Sequence, residues 1–147
     1  MIRLLSSLLN TVVLLNNKVR ADQAFDEGLA YYDKKQYAEA FPLIKESAEE
    51  GSSARAMSLL GSMYVLGYGI KEDGNEAIKW LVKAMENGDA VAVGILGMVY
   101  VTGKAGAPRK MKEGIALLEK AVENGDEKSA KMLTAIRNGE GMFRKLR

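Results

Sequence analysis

The sequence predicts an all-α fold, a solenoid of antiparallel helix pairs, and three observations support this prediction. The tetrapeptide ENGD occurs at 86–89 and again 37 residues later at 123–126, and a related EEGS stands at 49–52. Apolar residues between these turns recur at helical spacing, and no segment alternates strictly as a half-buried strand does. Only two prolines interrupt the 147 residues, whereas glycine occurs 15 times, which suits long helices with many ends. A self-similar period of about 34 to 38 residues is typical of a helical solenoid.

Each repeat unit is predicted to contain an A helix followed by a B helix. In the first unit, Gly28 and Tyr31 give the A helix near 22–34 a Gly-x-x-Tyr spacing, and Ala40 marks the B helix near 38–50. Pro42 lies in the first turns of this B helix, where a missing N–H costs least. The second A helix, near 53–66, repeats the spacing with Gly61 and Tyr64. The B helix near 75–87 has apolar residues at helical spacing at Ala77, Ile78, Leu81 and Ala84.

The third unit repeats the second almost residue for residue. Gly97 and Tyr100 lie 36 residues after their counterparts and place an A helix near 90–102. Ile115 and Leu118 lie 37 residues after theirs and place a B helix near 111–124, so one residue has been inserted in the loop between the helices. A further A helix near 127–138 begins a unit of which half is recognisable.

The repeated NGD is interpreted as the turn from a B helix to the next A helix. Gly88 falls where a helix ends, and glycine adopts the left-handed conformation that such ends require. Asp89 follows as an N-cap whose carboxylate can accept from free N–H groups of the next helix. Gly125 and Asp126 repeat this arrangement.

At these motifs the chain resembles the Sel1-like repeat proteins, relatives of the tetratricopeptide repeat with a longer loop between helices. The residues that carry the resemblance are the LG-x-x-Y-x-x-G blocks at 60–67 and 96–103, together with EAIKWLVKAMENGD at 76–89 and its copy ending at Asp126. QYAEAF at 36–41 is more similar to a plain tetratricopeptide repeat. The third unit departs from the pattern in its basic loop GKAGAPRKM and in Gly114, where alanine is usual. The resemblance covers roughly residues 22–138. It implies a right-handed α-solenoid that binds proteins rather than a catalyst.

The amino-acid composition excludes several kinds of bond, metal site and catalytic group. The chain has no Cys and no His, so disulfides, Cys-ligated zinc and the commonest general base are absent, and the net charge of +2 gives no argument for nucleic acid. The carboxylates Glu72, Asp73 and Glu76 lack calcium-loop spacing and are interpreted as a solvated loop and a helix start. The glycines of GYG at 67–69 and the basic runs at 109–112 and 144–147 are interpreted as ordinary loop and tail residues. No catalytic residue, cofactor or metal site is therefore predicted.

The N-terminal segment 1–21 allows two interpretations. Arg3, an apolar stretch from Leu4 to Leu15 and small residues around Ala21 are typical of a signal peptide, which would make the protein periplasmic or secreted and the mature N-terminus Asp22. Alternatively, polar residues that alternate with leucine pairs indicate an amphipathic helix capping a cytoplasmic solenoid. The apolar stretch is too short for a stable membrane span. The predicted organisation is thus segment 1–21, a solenoid of about 3.5 repeats at 22–138 and a basic tail at 139–147.

A partner-binding site is predicted on the concave wall that the A helices form. Counted from each repeat glycine, the residues three before it and one, four and five after it should face this wall. They are Phe25, Leu29, Tyr32 and Asp33; Ser58, Ser62, Val65 and Leu66; and Gly94, Met98, Val101 and Thr102. The alternative is that Phe25, Leu29 and Val65 are covered by residues 1–20 folding back.

Two classes of function follow. The first is a non-enzymatic interaction module whose groove takes a partner protein, as an adaptor or as an immunity or inhibitor protein for a partner enzyme or toxin, in a bacterial setting. The second is a structural, self-associating envelope protein. A monomer or a weak dimer is expected, with no nucleic acid partner.

Overall fold

The computed structural model describes residues 1–51 and 53–145 and consists of helices joined by short turns. No strand occurs in that part of the chain, which confirms the predicted all-α class. The α-helices, in chain order, are α1 (Ile2–Asp33), α2 (Tyr37–Glu50), α3 (Ala54–Leu66), α4 (Gly74–Glu86), α5 (Ala90–Thr102), α6 (Met111–Glu123) and α7 (Glu127–Lys145). A short 3-10 turn at Lys104–Gly106 lies between α5 and α6.

Consecutive helices pack as the pairs α1/α2, α3/α4 and α5/α6, and α7 packs against α6 and α5. A continuous core of buried residues runs from Ala40 through Leu60 and Leu81 to Ala107, and a smaller cluster of Val101, Leu118 and Leu133 joins α5, α6 and α7. One helix pair cannot bury its apolar face alone, so the stacked pairs create the core together. The predicted solenoid is confirmed, with its final A helix continuing past residue 138.

The NGD turns have the predicted geometry. Gly88 and Gly125 have φ angles of 89° and 88°, in the left-handed region that favours glycine. The Asp89 carboxylate accepts a hydrogen bond from the Val91 amide at 2.9 Å, and Asp126 accepts one from the Lys128 amide at 3.1 Å. Each turn therefore ends a B helix and caps the next A helix within three residues.

The long loop of each unit packs on the previous unit. A Cβ added at Gly69 would overlap the carbonyl oxygen of Tyr37, at the start of α2. In the next unit, a Cβ added at Gly74 would lie 2.6 Å from the amide nitrogen of Ala107. These contacts fix the stacking distance between units, because main chain meets main chain with no room for a side chain.

The first helix departs from the predicted boundaries, because it begins about twenty residues before residue 22. Residues 1–20 continue α1 outward and are exposed throughout. They do not cover Phe25, Leu29 or Val65, so the suggested folding back does not occur. An ion pair between Arg20 Nε and Glu46 Oε1 at 2.7 Å, on the neighbouring helix, marks the point where α1 leaves the solenoid. Among the described residues, no helix is both long and apolar enough for a membrane crossing.

Candidate partner-binding groove

A groove of about 580 Å³ opens on the side of the solenoid that the A helices form, and it is called the concave groove below. Helices α3, α5 and α7 supply its walls, and the turn at 124–126 closes one end. The apolar residues of its lining are Val65, Leu66, Ala90, Val91, Ile95, Met98, Leu118 and Met132. The remaining lining residues are Ser62, Gly94, Asn124, Gly125, Asp126, Lys128 and Ser129. The groove is therefore mainly apolar, with its charged groups at the α7 end.

Accessibility differs sharply among the apolar residues of the groove. Val91 is 65% exposed and Leu66 is 39% exposed, whereas Val65 is 1% exposed and forms the floor. Ile95, Met98 and Met132 are half-buried. A partner can gain burial only from surface that is still open, so Val91, Leu66 and Met98 carry most of the potential for apolar contact.

The polar end of the groove is built around Asp126. Its carboxylate accepts from the Ser129 hydroxyl at 2.5 Å as well as from the Lys128 amide. A Cβ at Gly94 would lie 2.5 Å from Asp126 Oδ2, so glycine at this position leaves room for the carboxylate against α5. Because Asp126 already caps α7, it is held in place as a fixed negative group at the groove's edge.

Five of the twelve residues proposed from the sequence line this groove: Ser62, Val65, Leu66, Gly94 and Met98. Ser58 lies buried beneath them with no hydrogen-bond partner for its hydroxyl, and its carbonyl accepts from Ser62 Oγ at 3.0 Å. Val101 is buried in the cluster with Leu118 and Leu133. Thr102, at the end of α5, is exposed and donates to the Met98 carbonyl.

The four residues proposed in the first unit lie outside the groove. Phe25 is half-buried, with the Arg55 guanidinium 5.5 Å from its ring centroid. Leu29 is half-buried and Asp33 is exposed at the end of α1. Tyr32 belongs to an aromatic cluster in which Tyr37 and Tyr68 stack with their ring centroids 4.0 Å apart. Burial raises the pKa of Tyr32 above its usual value, and the neighbouring Tyr37 and Tyr68 add to this shift.

Several residues that line the groove were not predicted from the sequence. Val91 and Ile95 lie six and two residues before Gly97, on the same stripe of α5 as Gly94 and Met98, so a count that continued along the stripe would have found them. Lys128 and Met132 belong to α7, whose repeat glycine is replaced by Thr134. No B helix follows α7 in the described part of the chain, so the small residue is not needed there and the spacing rule had no anchor.

Nothing in the described residues assembles a metal site, because no three His, Cys, Asp or Glu side chains come together suitably. Two of the carboxylates at 72, 73 and 76 have ordinary structural roles. Asp73 caps α4 by accepting from the amides of Asn75 and Glu76, and Glu76 pairs with Lys79 at 2.6 Å.

Comparison with known proteins identifies the family that two of these repeats match. The family model of the Sel1 repeat matches residues 54–89 and 92–126, the second and third units. An ERAD-associated E3 ubiquitin-protein ligase component, HRD3A of Arabidopsis thaliana, is 32% identical over 66 residues, which are 44% of this chain and 10% of that protein. The chain thus spans a small part of this relative.

Solved structures agree with the family match. A protective antigen of uropathogenic Escherichia coli strains with an SLR fold gives a TM-score of 0.68 at 28% identity, covering 77% of this chain and 25% of that one. A Sel1 repeat protein from Oxalobacter formigenes gives 0.64 at 28% identity, covering 72% and 41%. Cysteine-rich protein B of Helicobacter pylori gives 0.55 at 21% identity, covering 77% and 94%, and supports the fold alone.

Proposed function

The chain belongs to the Sel1-like repeat proteins, and from this premise we propose that it is a non-enzymatic module that binds a partner protein in its concave groove. Sel1 repeat proteins typically mediate protein–protein interaction. The observation that carries the proposal is the apolar groove between α3, α5 and α7, in which Leu66 and Val91 remain substantially exposed. A contiguous apolar surface rimmed by polar groups is typical of an interaction site.

The partner segment that suits this groove is short and apolar, a helix or an extended stretch with two or three large side chains. The groove's volume of about 580 Å³ accommodates a few side chains rather than a domain. Lys128 and the fixed carboxylate of Asp126 at one end favour a partner with polar or charged groups beside its apolar anchors. An adaptor or an immunity or inhibitor protein would use the groove in the same way, and an assay of the captured partner's activity would separate the two roles.

A photo-crosslinking amino acid at position 66 tests the proposal. With the full chain expressed in its source organism, position 66 should capture a defined partner that mass spectrometry identifies. Val122, on α6 outside the groove, is 37% exposed against 39% for Leu66 and is therefore a matched control position. Capture of the same protein from both positions would count against the groove.

Binding by the purified partner then measures the groove directly. Leu66→Glu and Met98→Glu should each abolish binding, because a charge would be buried against apolar surface, while Val122→Glu binds normally. Truncation of Leu66 or Met98 to alanine should weaken binding by about 1–3 kcal/mol. Normal binding by both glutamate variants, with melting temperatures unchanged, would refute the assignment.

The second candidate, a structural self-associating envelope protein, would use the same groove against another copy. It predicts that the apparent mass rises with concentration and that Leu66→Glu and Met98→Glu return the protein to a monomer.

For the N-terminal segment we propose retention rather than cleavage. Ala21 is fully buried, and a Cβ added at Gly51 would lie 2.9 Å from its Cβ. Cleavage after Ala21 would remove this side chain from the first unit's packing. The alternative, export with a mature N-terminus at Asp22, is tested by the intact mass of the protein from its own host.

A further inference from the structure

We propose that residues 2–19 of α1 form a self-complementary helical seam through which two copies of this chain pair antiparallel. The segment is helical and every side chain in it is exposed. Its exposed apolar residues are Ile2, Leu4, Leu5, Leu8, Leu9, Val12, Val13, Leu14, Leu15 and Val19. An apolar surface of this extent is rare on an isolated soluble molecule and marks a contact surface.

Five of these ten apolar residues follow a heptad pattern. Leu5, Val12 and Val19 occupy a positions, and Leu8 and Leu15 occupy d positions. Apolar a and d positions of this kind form the contact between the two helices of a coiled coil. The same stripe continues at the next d and a positions as Asp22 and Asp26, so the seam ends where the repeats begin.

The seam faces away from the solenoid. Successive residues of a helix are rotated by about 100°, which places Leu8 and Val12 about half a turn from the face of α1 that carries Ala21, Ala24 and Gly28. That second face is the one buried in the solenoid. The seam therefore cannot pack on the chain's own repeats, and a second molecule can approach it without displacing α2.

The occupant that fits the seam is a second copy, because the pattern is symmetric about residue 10. In an antiparallel pair, Leu5 packs against Leu15 of the second copy and Leu8 against Val12. No acidic residue occurs before Asp22, and the basic Arg3 and Lys18 lie off the seam.

Charge favours the antiparallel direction. Residues 22–51 contain eight acidic and three basic side chains. A parallel pair would bring these two acidic units together and oppose Asp22 to its own copy, whereas an antiparallel pair holds the units at opposite ends.

Sedimentation equilibrium of the full chain, over protein concentrations of about 1 to 300 µM, tests the pairing. The mass should rise from 16.0 kDa towards twice that value. The double variant Leu8→Asp/Val12→Asp should remain monomeric throughout. Its matched control, Ser7→Asp/Asn10→Asp, adds the same charge to the opposite face of the same helix and should pair like the wild type. Circular dichroism and the melting temperature of both variants show whether the repeats are intact.

Cysteine crosslinking tests the direction, since the natural chain has no Cys. A mixture of Leu5→Cys and Leu15→Cys chains should form a disulfide between the two variants, and Leu5→Cys alone should not. Self-crosslinking of Leu5→Cys would overturn the antiparallel arrangement.

Four results would overturn the pairing itself. They are a monomer at every concentration, a dimer that survives Leu8→Asp/Val12→Asp, a monomer that floats with phosphatidylcholine–phosphatidylglycerol vesicles, and a host-expressed protein that begins at Asp22. Leu66→Glu and Met98→Glu should leave the dimer intact, so failure of this inference and failure of the groove proposal are distinguishable.

Discussion

Gly97 and Gly114 stand at two close approaches between α5 and α6. A Cβ at Gly97 would lie 3.0 Å from the Leu118 amide nitrogen and 3.1 Å from the Gly114 carbonyl oxygen. A Cβ at Gly114 would lie 2.7 Å from Val101 Cγ2 and 2.9 Å from the Val101 amide nitrogen. In the second unit, α4 carries Ala77 at the position of Gly114, and that alanine is fully buried. The third unit therefore packs its helices more closely at this point than the second.

Gly114→Ala should lower the free energy of unfolding by about 1–3 kcal/mol, because the backbone of α5 cannot move aside for the added methyl group. Gly139 is the matched control, since it also lies inside a helix, and none of the described atoms lies within 4 Å of its Cβ position. There the same substitution should stabilise by about 0.5–1 kcal/mol through helix propensity. Urea denaturation of the two variants measures both values, and an equal sign for the two would contradict the close approach.

Among the helices and loops, the start of α2 and the long loop between α3 and α4 meet in an aromatic cluster. Tyr37 packs edge-on to Tyr32 at 5.2 Å between ring centroids and stacks on Tyr68, while Phe41 packs edge-on to Tyr64 at 5.5 Å. Burial raises the pKa values of Tyr32, Tyr37 and Tyr64, with added contributions from neighbouring tyrosines at Tyr32 and Tyr37. The hydrogen bond to Glu76 likewise raises the pKa of Lys79.

These shifts predict a loss of stability at alkaline pH. A tyrosine whose pKa is higher in the folded state stays protonated there while the same tyrosine in the unfolded chain ionises. The free energy of unfolding therefore falls as pH rises above about 10. Lys79 changes stability in the same direction. Melting temperatures should be nearly constant from pH 6 to 8, since the chain has no His, and should fall beyond pH 10.

Tyr32→Phe should reduce the fall in melting temperature above pH 10. Tyr31→Phe, at an exposed position outside the cluster, should leave this fall as it is in the wild type. A melting temperature that holds constant to pH 11 would contradict the burial argument.

Some of the turns, helices and groove residues could be predicted from the sequence, and others could not. The NGD turns were predictable because a left-handed glycine and a capping aspartate act within three residues. The extent of α1 was not, because residues 1–21 have helical periodicity but no partner that would distinguish a helix from a removable leader. In the groove, Leu66 and Met98 were predictable from helical spacing, while Lys128 and Met132 depend on α7, whose register lacks a repeat glycine. The contact between Gly69 and Tyr37 joins two units, and periodicity within a unit carries no information about it.

For the whole molecule, the solenoid makes stability nearly one-dimensional, because each unit contacts only its neighbours. The two ends then differ. Residues 2–19 bury nothing against the repeats, and the exposed Arg20–Glu46 ion pair at their base contributes little. At the other end, Leu133 is buried with Val101 and Leu118, and Met132 and Ile136 pack against this cluster.

Deleting residues 2–19 should therefore change the melting temperature by about 2 °C or less, measured at concentrations low enough to keep the protein monomeric. Removing the chain from Glu127 onward should cost on the order of 3–5 kcal/mol, because it returns the apolar face of α7 and its contacts on α5 and α6 to water. That loss corresponds to a fall of about 10 °C for a chain of this size. Circular dichroism melts of both truncated proteins provide the measurement. The helical signal should drop after either deletion, yet only the second should shift the midpoint. Equal shifts would mean that residues 2–19 pack on the repeats in solution, which is incompatible with a seam free for a second copy.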